Sequence, residues 1–254
     1  MKFNIPTKGN KKLEKILEKT EGMKELETLW KCANINAIDR LGLSDHGPTH
    51  IKIVANTALK LSRLLSGVKM HGVEEDYNMS REDSEVVIFL ASLLHDAGIS
   101  VHREDHEFFS LFIANSLLDK ILAGYKEEER IILKSEVLHA IIAHQEENKP
   151  LTKEAGILCI ADALDMKEGR ARIPFEAGKV DIHSVSALSI KSVEIGEGKG
   201  KPVSIKITMS DSAGIFQIDQ LLKKKIANTN LEKYIEVVAE IKETGKKIIE
   251  KFEL

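Results

Sequence analysis

The chain has 254 residues, of which 43% are hydrophobic and 30% charged, and its formal net charge is −3. This composition supports a folded core, excludes a disordered chain and gives no indication of bulk nucleic-acid binding. No segment approaches the roughly 18 apolar residues that a membrane-spanning helix needs. The first ten residues have no apolar stretch typical of a signal peptide. Two isolated cysteines indicate no disulfide framework, so we expect a reducing, cytoplasmic location without a membrane partner.

Helical periodicity dominates the first 166 residues, where apolar residues recur three and four positions apart. The predicted helices span residues 11–33, 48–65, 83–97, 105–123, 127–144 and 151–166. Pro48 suits the first turn of its helix, and Ser80 with Asp83 resembles a capping pair for the helix at 83–97. Gly98 is expected to end that helix. The polar stretch 66–79 is predicted to be a long loop.

After Gly169 the helical pattern gives way to alternation. Residues 203–209 alternate between apolar and polar, which predicts a half-buried strand. Residues 188–195 are expected to pair with it through the glycine-rich turn at 196–200. A third strand is expected at 215–218, and helices are expected at 220–227 and 231–252.

The predicted fold is therefore mainly α. A helical bundle over residues 1–175 would carry the chemistry, followed by a small α+β region over residues 176–254. That region would hold an antiparallel hairpin or a three-stranded sheet plus helices. Its expected role is that of a lid, a dimerisation element or a regulatory unit.

Six ionisable residues stand at inward-facing or terminal positions of these apolar helices. They are His50, His95, Asp96, His106, His144 and Asp162. A histidine and a carboxylate at the end of a buried helix are costly unless something satisfies them, and a divalent cation would do so. Any one of the six could equally be a core residue, but six together favour a metal site, because ionisable groups are rare on apolar stripes.

Histidine and aspartate ligands suit divalent transition metals such as Mn²⁺, Fe²⁺, Co²⁺, Ni²⁺ and Zn²⁺. Helical bundles commonly hold such ions between side chains of facing helices. Four ligands would hold one ion, and six could hold two with an aspartate shared between them. We therefore expect one or two ions per chain.

The order of these residues resembles the HD-domain metal-dependent phosphohydrolase superfamily. The resemblance rests on four stretches, DHGPTH at 45–50, LLHDAGI at 93–99, AHQEE at 143–147 and IADALDM at 160–166. It covers residues 45–172 and implies an HD-type helical bundle. It also implies that the primary metal ligands are His50, His95, Asp96 and Asp162. His106 and His144 match the extra histidines of members with two metals, which implies a dinuclear site bridged by Asp96.

Two features depart from that family's patterns. Many members have a lysine soon after the HD pair, whereas residues 97–100 read AGIS, so that substrate contact would have to come from elsewhere. The GYP motif of the cyclic-dinucleotide subclass does not follow His144, which argues against cyclic di-GMP as the substrate.

Arg170 and Arg172 follow the predicted Asp162 helix closely. Their guanidinium groups suit phosphate oxygens, although a surface salt-bridge pair would explain them equally well. His46 is expected either to position phosphate or to cap its helix, and Arg103 is a second phosphate candidate. The catalytic candidates are thus Asp96, His46, Arg170 and Arg172, with Asp96 as general base if the site holds one ion. Asp45 is expected to orient a ligand histidine.

Together these observations predict a metal-dependent phosphohydrolase, a phosphatase or phosphodiesterase. It would cleave a phosphomonoester or phosphodiester of a small nucleotide-like substrate by a metal-activated water. Two alternatives stay open: a dinuclear-iron HD-type oxygenase, and a non-catalytic nucleotide-sensing module. A homodimer is also open, because a small sheet with exposed edges invites pairing.

Overall fold

Helices make up the N-terminal part of the fold, and a small sheet follows them. The computed structural model describes residues 2–145, 147–170, 182–242 and 251–253. The α-helices up to residue 163 are α1 Lys11–Thr20, α2 Lys24–Asn34, α3 Pro48–Leu64, α4 Val73–Tyr77, α5 Arg81–Leu94, α6 His106–Ile121, α7 Glu127–Ile142 and α8 Lys153–Ala163, and a π-helix, Ile35–Arg40, follows α2. The mainly α prediction is confirmed, whereas the boundary predicted at residue 175 lies outside the described residues.

Two helical predictions differ from the structure in their details. The segment 11–33 forms two helices, because Gly22 turns the chain in the left-handed region with φ of 79°. Such a φ is readily adopted by glycine. The predicted loop at 66–79 contains the short helix α4. No helix among the described residues is both long and apolar enough to cross a membrane.

Helix α5 has the predicted capping pair, but it begins two residues before and ends three residues before the predicted bounds. Ser80 and Asp83 form a capping box at its start. The helix ends at Leu94, and a short 3₁₀ turn, Ala97–Ser100, follows it. Gly98 lies inside that turn and not at a left-handed helix end, so its predicted role was wrong. A Cβ at Gly98 would overlap the carbonyl oxygen of His106 and the backbone nitrogen of Ser110, so this glycine lets α6 pack closely against the turn.

The C-terminal segment, defined here as residues 182–242 and 251–253, contains the sheet. Its helices are α9 Ile182–Leu188 and α10 Lys223–Asn228, the latter preceded by a π-helix, Gln217–Leu222. Its strands are β1 Ile190–Glu197, β2 Val203–Met209, β3 Ile235–Ile241 and β4 Lys251–Glu253, in the spatial order β1-β2-β3-β4. Strands β1 and β2 pair antiparallel, which confirms the predicted hairpin, and β3 runs parallel to β2.

The sequence assignment of the later elements was wrong in two places. Residues 215–218 are helical and form no strand, and within the predicted helix at 231–252 residues 235–241 form strand β3. In β3 the residues alternate between buried and partly buried, with Ile235, Val237, Ala239 and Ile241 inward. This is the period of two that a strand requires, although apolar residues three positions apart, such as Ile235 and Val238, also fit a helix.

One buried apolar cluster joins the helices to the sheet. It contains residues of α3, α5 and α8 together with inward-facing residues of β1, β2 and β3. Helix α8 lies close to the C-terminal segment at Gly156, where a Cβ would lie 3.1 Å from Leu231 Cδ1 and 3.3 Å from Thr229 Cβ. Helix α8 therefore packs against both the other helices and the C-terminal segment.

Candidate metal centre

The structure brings all six predicted ligands to one place in the helical bundle. His50 is the third residue of α3, and His95 and Asp96 follow the last residue of α5. His106 is the first residue of α6, His144 follows α7 by two residues, and Asp162 lies in the last turn of α8. Five of the six are buried, and Asp162 has 19% of its side chain exposed. Sequence-distant helix ends thus converge on one polar cluster inside an apolar bundle.

Four residues define a first site. His50 Nε2 lies 3.2 Å from His95 Nε2, and both nitrogens lie 3.3 Å from Asp96 Oδ2. Asp162 Oδ1 closes the group at 3.4 Å from His50 Nε2 and 3.8 Å from His95 Nε2. Two nitrogens and two carboxylate oxygens therefore face a common point.

A second site shares Asp96 with the first. His106 Nε2 lies 3.1 Å from Asp96 Oδ1 and 3.3 Å from His144 Nε2. His144 Nε2 lies 3.9 Å from the same Oδ1. Asp96 therefore directs one oxygen to each histidine pair, which is the arrangement of a bridging carboxylate.

The spacing of these atoms fits divalent transition metals. Zinc-type ions bind nitrogen and oxygen at about 2.0–2.2 Å, so neighbouring ligand atoms lie about 3.0–3.5 Å apart around one ion. The distances within each site are 3.1–3.9 Å. The groups His50–His95–Asp96 and Asp96–His106–His144 each gather ligand atoms within 4.8 Å of one another. The donor set also matches the ions named from the sequence.

Each of the four histidines has an oxygen acceptor facing its Nδ1, which directs its Nε2 towards the place of a metal. His50 Nδ1 donates to Asp165 Oδ2 at 2.7 Å. The Nδ1 atoms of His95 and His106 face the carbonyl oxygens of Ser92 and Arg103 at 3.1 and 3.0 Å. His144 Nδ1 faces the carbonyl oxygen of Ile141. Such acceptors orient metal-binding rings and raise their basicity.

The turn after α5 places the second site next to the first. Ser110 Oγ donates to the carbonyl oxygen of His95 at 2.6 Å and accepts from Gly98 N at 2.8 Å. Because Gly98 has no side chain, this bond can draw the start of α6 onto the turn. His106 is thereby brought within 3.1 Å of Asp96.

The charges of the centre follow from these contacts. Burial opposes ionisation of Asp96 and Asp162, yet His95 beside Asp96 and Lys225 beside Asp162, with hydrogen bonds from His50, hold both pKa values well below the usual range. Burial and Arg170 disfavour the imidazolium of His50, but its three aspartate neighbours raise its pKa to about 10. Burial and the neighbouring His95 lower the pKa of His144 to about 3.

Asp165, which the sequence analysis did not single out, connects His50 to Arg170. Its Oδ2 accepts from His50 and lies 3.3 Å from Arg170 Nε. Arg170 Nη1 is buried and has no hydrogen-bond partner within the described chain. Arg172 lies outside the described residues, so its role stays a prediction.

Lys225 of α10 was also not identified as a site residue from the sequence. Its Nζ lies 2.8 Å from Asp162 Oδ2 and 3.1 Å from the carbonyl oxygen of His144. Burial alone would lower the pKa of Lys225, but Asp162 raises it above the usual range. A signal for Asp165 existed in its position three residues after Asp162. No sequence signal pointed to Lys225, because it is one of three consecutive lysines and lies 63 residues from its partner Asp162.

His46 lies beside the first site. Its ring centroid is 5.6 Å from that of His50, and its Nδ1 donates to the carbonyl oxygen of Ser44 at 2.7 Å. Burial lowers its pKa to about 3, so its free Nε2 is an acceptor. Asp45 accepts from the backbone N–H groups of Gly47 and His50, so this residue caps α3, and the partner of the His50 ring is Asp165.

Two further side chains border the second site. Arg103 Nη1 lies 2.9 Å from His106 Nδ1. Gln145 Nε2 lies 2.9 Å from His144 Nε2 and 3.3 Å from His106 Nε2. The amide thus meets the same two nitrogen atoms that a cation in the second site would use.

Comparisons with known proteins agree with this geometry. Residues 49–167 match the HD domain family. The chain is also 45% identical over 221 residues to Uncharacterized protein MJ1020 of Methanocaldococcus jannaschii, an alignment that covers 86% of this chain and 85% of that relative. All six converging His and Asp residues, from His50 to Asp162, lie within the matched range. The chain therefore belongs to the HD-domain metal-dependent phosphohydrolase superfamily.

Proposed function

We propose that this chain is a metal-dependent phosphohydrolase that cleaves a phosphomonoester or phosphodiester of a small, nucleotide-like substrate. One observation carries the proposal: Asp96 shares its two oxygens between two histidine pairs, at 3.1–3.3 Å from the nearest nitrogen of each. Two-metal sites are typical of enzymes that displace groups at phosphorus. The nucleotide-like character of the substrate follows from the family resemblance.

The residues of such a centre would have different roles. Divalent ions held there would supply a water of lowered pKa and would polarise a phosphoryl oxygen. The four histidines hold their Nε2 atoms in place before any ion binds, because each Nδ1 is fixed by an acceptor. Asp96 directs both oxygens at ligand nitrogens, so with two ions we assign it as a bridge and not as a general base.

Arg170 is the best-supported phosphate ligand. Its Nε is committed to Asp165, whereas its Nη1 is buried without a hydrogen-bond partner in the described chain. A buried unpaired donor is costly, and a phosphate oxygen would satisfy it through a charge-assisted hydrogen bond. Arg172 is proposed for the same role from its sequence position alone.

His46 is proposed to orient a water or a substrate hydroxyl as a hydrogen-bond acceptor and not to bind phosphate. Because Nδ1–H is donated to Ser44, the lone pair of Nε2 is free to accept a hydrogen bond from a water or a substrate hydroxyl. The low pKa of His46, about 3, keeps that lone pair available at neutral pH.

A substrate panel tests this proposal directly. Nucleoside monophosphates and triphosphates, simple phosphomonoesters and phosphodiesters would be assayed with Mn²⁺, Co²⁺, Ni²⁺, Mg²⁺ and Fe²⁺, with metal content measured in parallel. We expect hydrolysis of at least one of these esters, detected as released phosphate or alcohol, and we expect Asp96→Ala to abolish it. Tight nucleotide binding without turnover in any metal would indicate the sensing module. Bound iron with substrate-dependent oxygen uptake would indicate the oxygenase.

A further inference from the structure

An ammonium group from the C-terminal segment reaches the candidate metal centre. Lys225 Nζ contacts Asp162 Oδ2 at 2.8 Å and the carbonyl oxygen of His144 at 3.1 Å. Asp162 belongs to the first site and His144 to the second. One lysine outside the helical bundle therefore touches residues of both sites.

This contact gives the two carboxylate oxygens of Asp162 different partners. Oδ1 faces His50 and His95, whereas Oδ2 is held by Lys225. A carboxylate can bind a cation through one oxygen or through both. With Oδ2 committed to the ammonium, Asp162 offers the first site a single oxygen.

The contact is shielded enough to affect nearby charges. The side chains of Lys225 and Asp162 are 13% and 19% exposed. Charges in such surroundings interact more strongly than in bulk water, so a fixed positive charge beside a cation site opposes cation binding. The same ammonium compensates Asp162, a largely buried carboxylate that would otherwise be unpaired on that side.

Packing of the C-terminal segment sets the position of Lys225. Its neighbour Ile226 is buried in the shared apolar cluster. Thr229 and Leu231, which follow α10, lie against Gly156 of α8, the helix that carries Asp162. The ion pair therefore forms between two elements whose separation is already determined by apolar contacts.

We propose that Lys225 is a positioning residue that holds Asp162 as a one-oxygen ligand and lowers the cation affinity of the first site. The C-terminal segment would thereby set the metal affinity of a centre built by the helical bundle. This inference rests on the proposed metal centre, and it concerns binding of the ion and not turnover.

The test compares Lys225→Met with Lys224→Met in the full chain. Lys224 is the exposed preceding residue, so its variant removes the same charge without the contact. Co²⁺ binding is measured by calorimetry, and the visible absorption of the bound Co²⁺ reports its coordination. We expect Lys225→Met to bind the first ion at least about tenfold more tightly than the wild type, because it removes a neighbouring positive charge. We also expect weaker visible absorption from the bound Co²⁺ in Lys225→Met, because Oδ2 of Asp162 becomes free to bind the ion as an additional ligand. The Lys224→Met variant should match the wild type in both measurements.

Unchanged or weaker Co²⁺ binding by Lys225→Met, in a variant with wild-type circular dichroism, would overturn the inference and leave the metal centre intact. If that variant does not fold, Lys225→Gln replaces it, since glutamine keeps a donor but no charge. Tighter binding by Lys225→Gln supports the inference, and unchanged binding overturns it. A wild-type chain that binds no Co²⁺ overturns both this inference and the proposed function.

Discussion

The two sites of the candidate centre share Asp96 but differ in charge. The first site has two carboxylates, and the pKa of its His50 is raised to about 10 by three aspartates. The second site has two histidines, and the pKa of His144 is lowered to about 3 by burial and by the neighbouring His95. Within the second site, Asp96 Oδ1 supplies the carboxylate charge. One shared residue thus supports two sites of unequal cation affinity, and the first site should bind its ion more tightly.

The largest expected effect comes from the shared ligand. Asp96→Ala removes a ligand oxygen from each site at once, so we expect metal content to fall from about two ions per chain to nearly none. Hydrolysis should disappear with it, while the helical circular dichroism persists. Metal analysis after dialysis measures this, with Asp119→Ala, an exposed aspartate, as control. Wild-type metal content in Asp96→Ala would contradict the whole site assignment, and the same holds for His95→Ala.

A smaller effect should separate the two sites. His106→Ala removes a nitrogen from the second site alone, so about one ion per chain should remain. His139→Ala is the matched control, because His139 accepts from Leu151 N and lies outside both sites. Loss of both ions in His106→Ala would show that the sites do not bind independently.

Replacement of Asp165 tests how much its hydrogen bond to His50 contributes to the metal affinity of the first site. Asp165→Asn keeps the shape of the side chain but weakens the acceptor for His50 Nδ1. Partners of this kind are worth about 10–100-fold in metal affinity, so we expect first-site affinity to fall by that factor while the second site is unchanged. Calorimetric titration with Mn²⁺ resolves the two events. A uniform loss in both sites would indicate a general structural defect.

Substrate binding should depend on Arg170 without a change in metal content. A charge-assisted hydrogen bond is worth about 1.5–3 kcal/mol, so Arg170→Ala should lower kcat/KM by about 10–100-fold. Lysine at this position should restore only part of the loss, because it cannot form a bidentate contact. Arg81→Ala, at the far end of α5, is the control. Wild-type kinetics in Arg170→Ala would return phosphate recognition to Arg103.

Per pH unit, the smallest effect is the pH dependence of the first site. The raised pKa of His50, about 10, means that the metal-free ring is protonated at neutral pH, and a bound cation must displace that proton. First-site affinity should therefore rise with pH, by about tenfold per unit for one proton released. Titrations of His106→Ala between pH 6.5 and 8.5 isolate this site. An affinity that does not change with pH would contradict the proposed protonation of His50.

Local patterns in the sequence predicted the bundle and the six residues that meet at the candidate metal centre. Helical periodicity, the Ser80–Asp83 capping box and the period-two alternation of β2 each depend on neighbouring residues. The six candidate ligands stood out because ionisable residues are rare on apolar helix faces. Strand β3 was misread because its apolar residues fit both periods.

The tertiary structure determined which of these residues form each site and which other side chains hydrogen-bond to them. The assignment of Asp96 Oδ2 to one histidine pair and Oδ1 to the other depends on how four helix ends meet. The contacts of Asp165 with His50 and of Lys225 with Asp162 span 115 and 63 residues. Periodicity reports only which face of an element is buried. The partner of a charged side chain across the core is set by packing between elements, because the close approach of α8 to the C-terminal segment at Gly156 and of α6 to Gly98 exists only in the assembled fold.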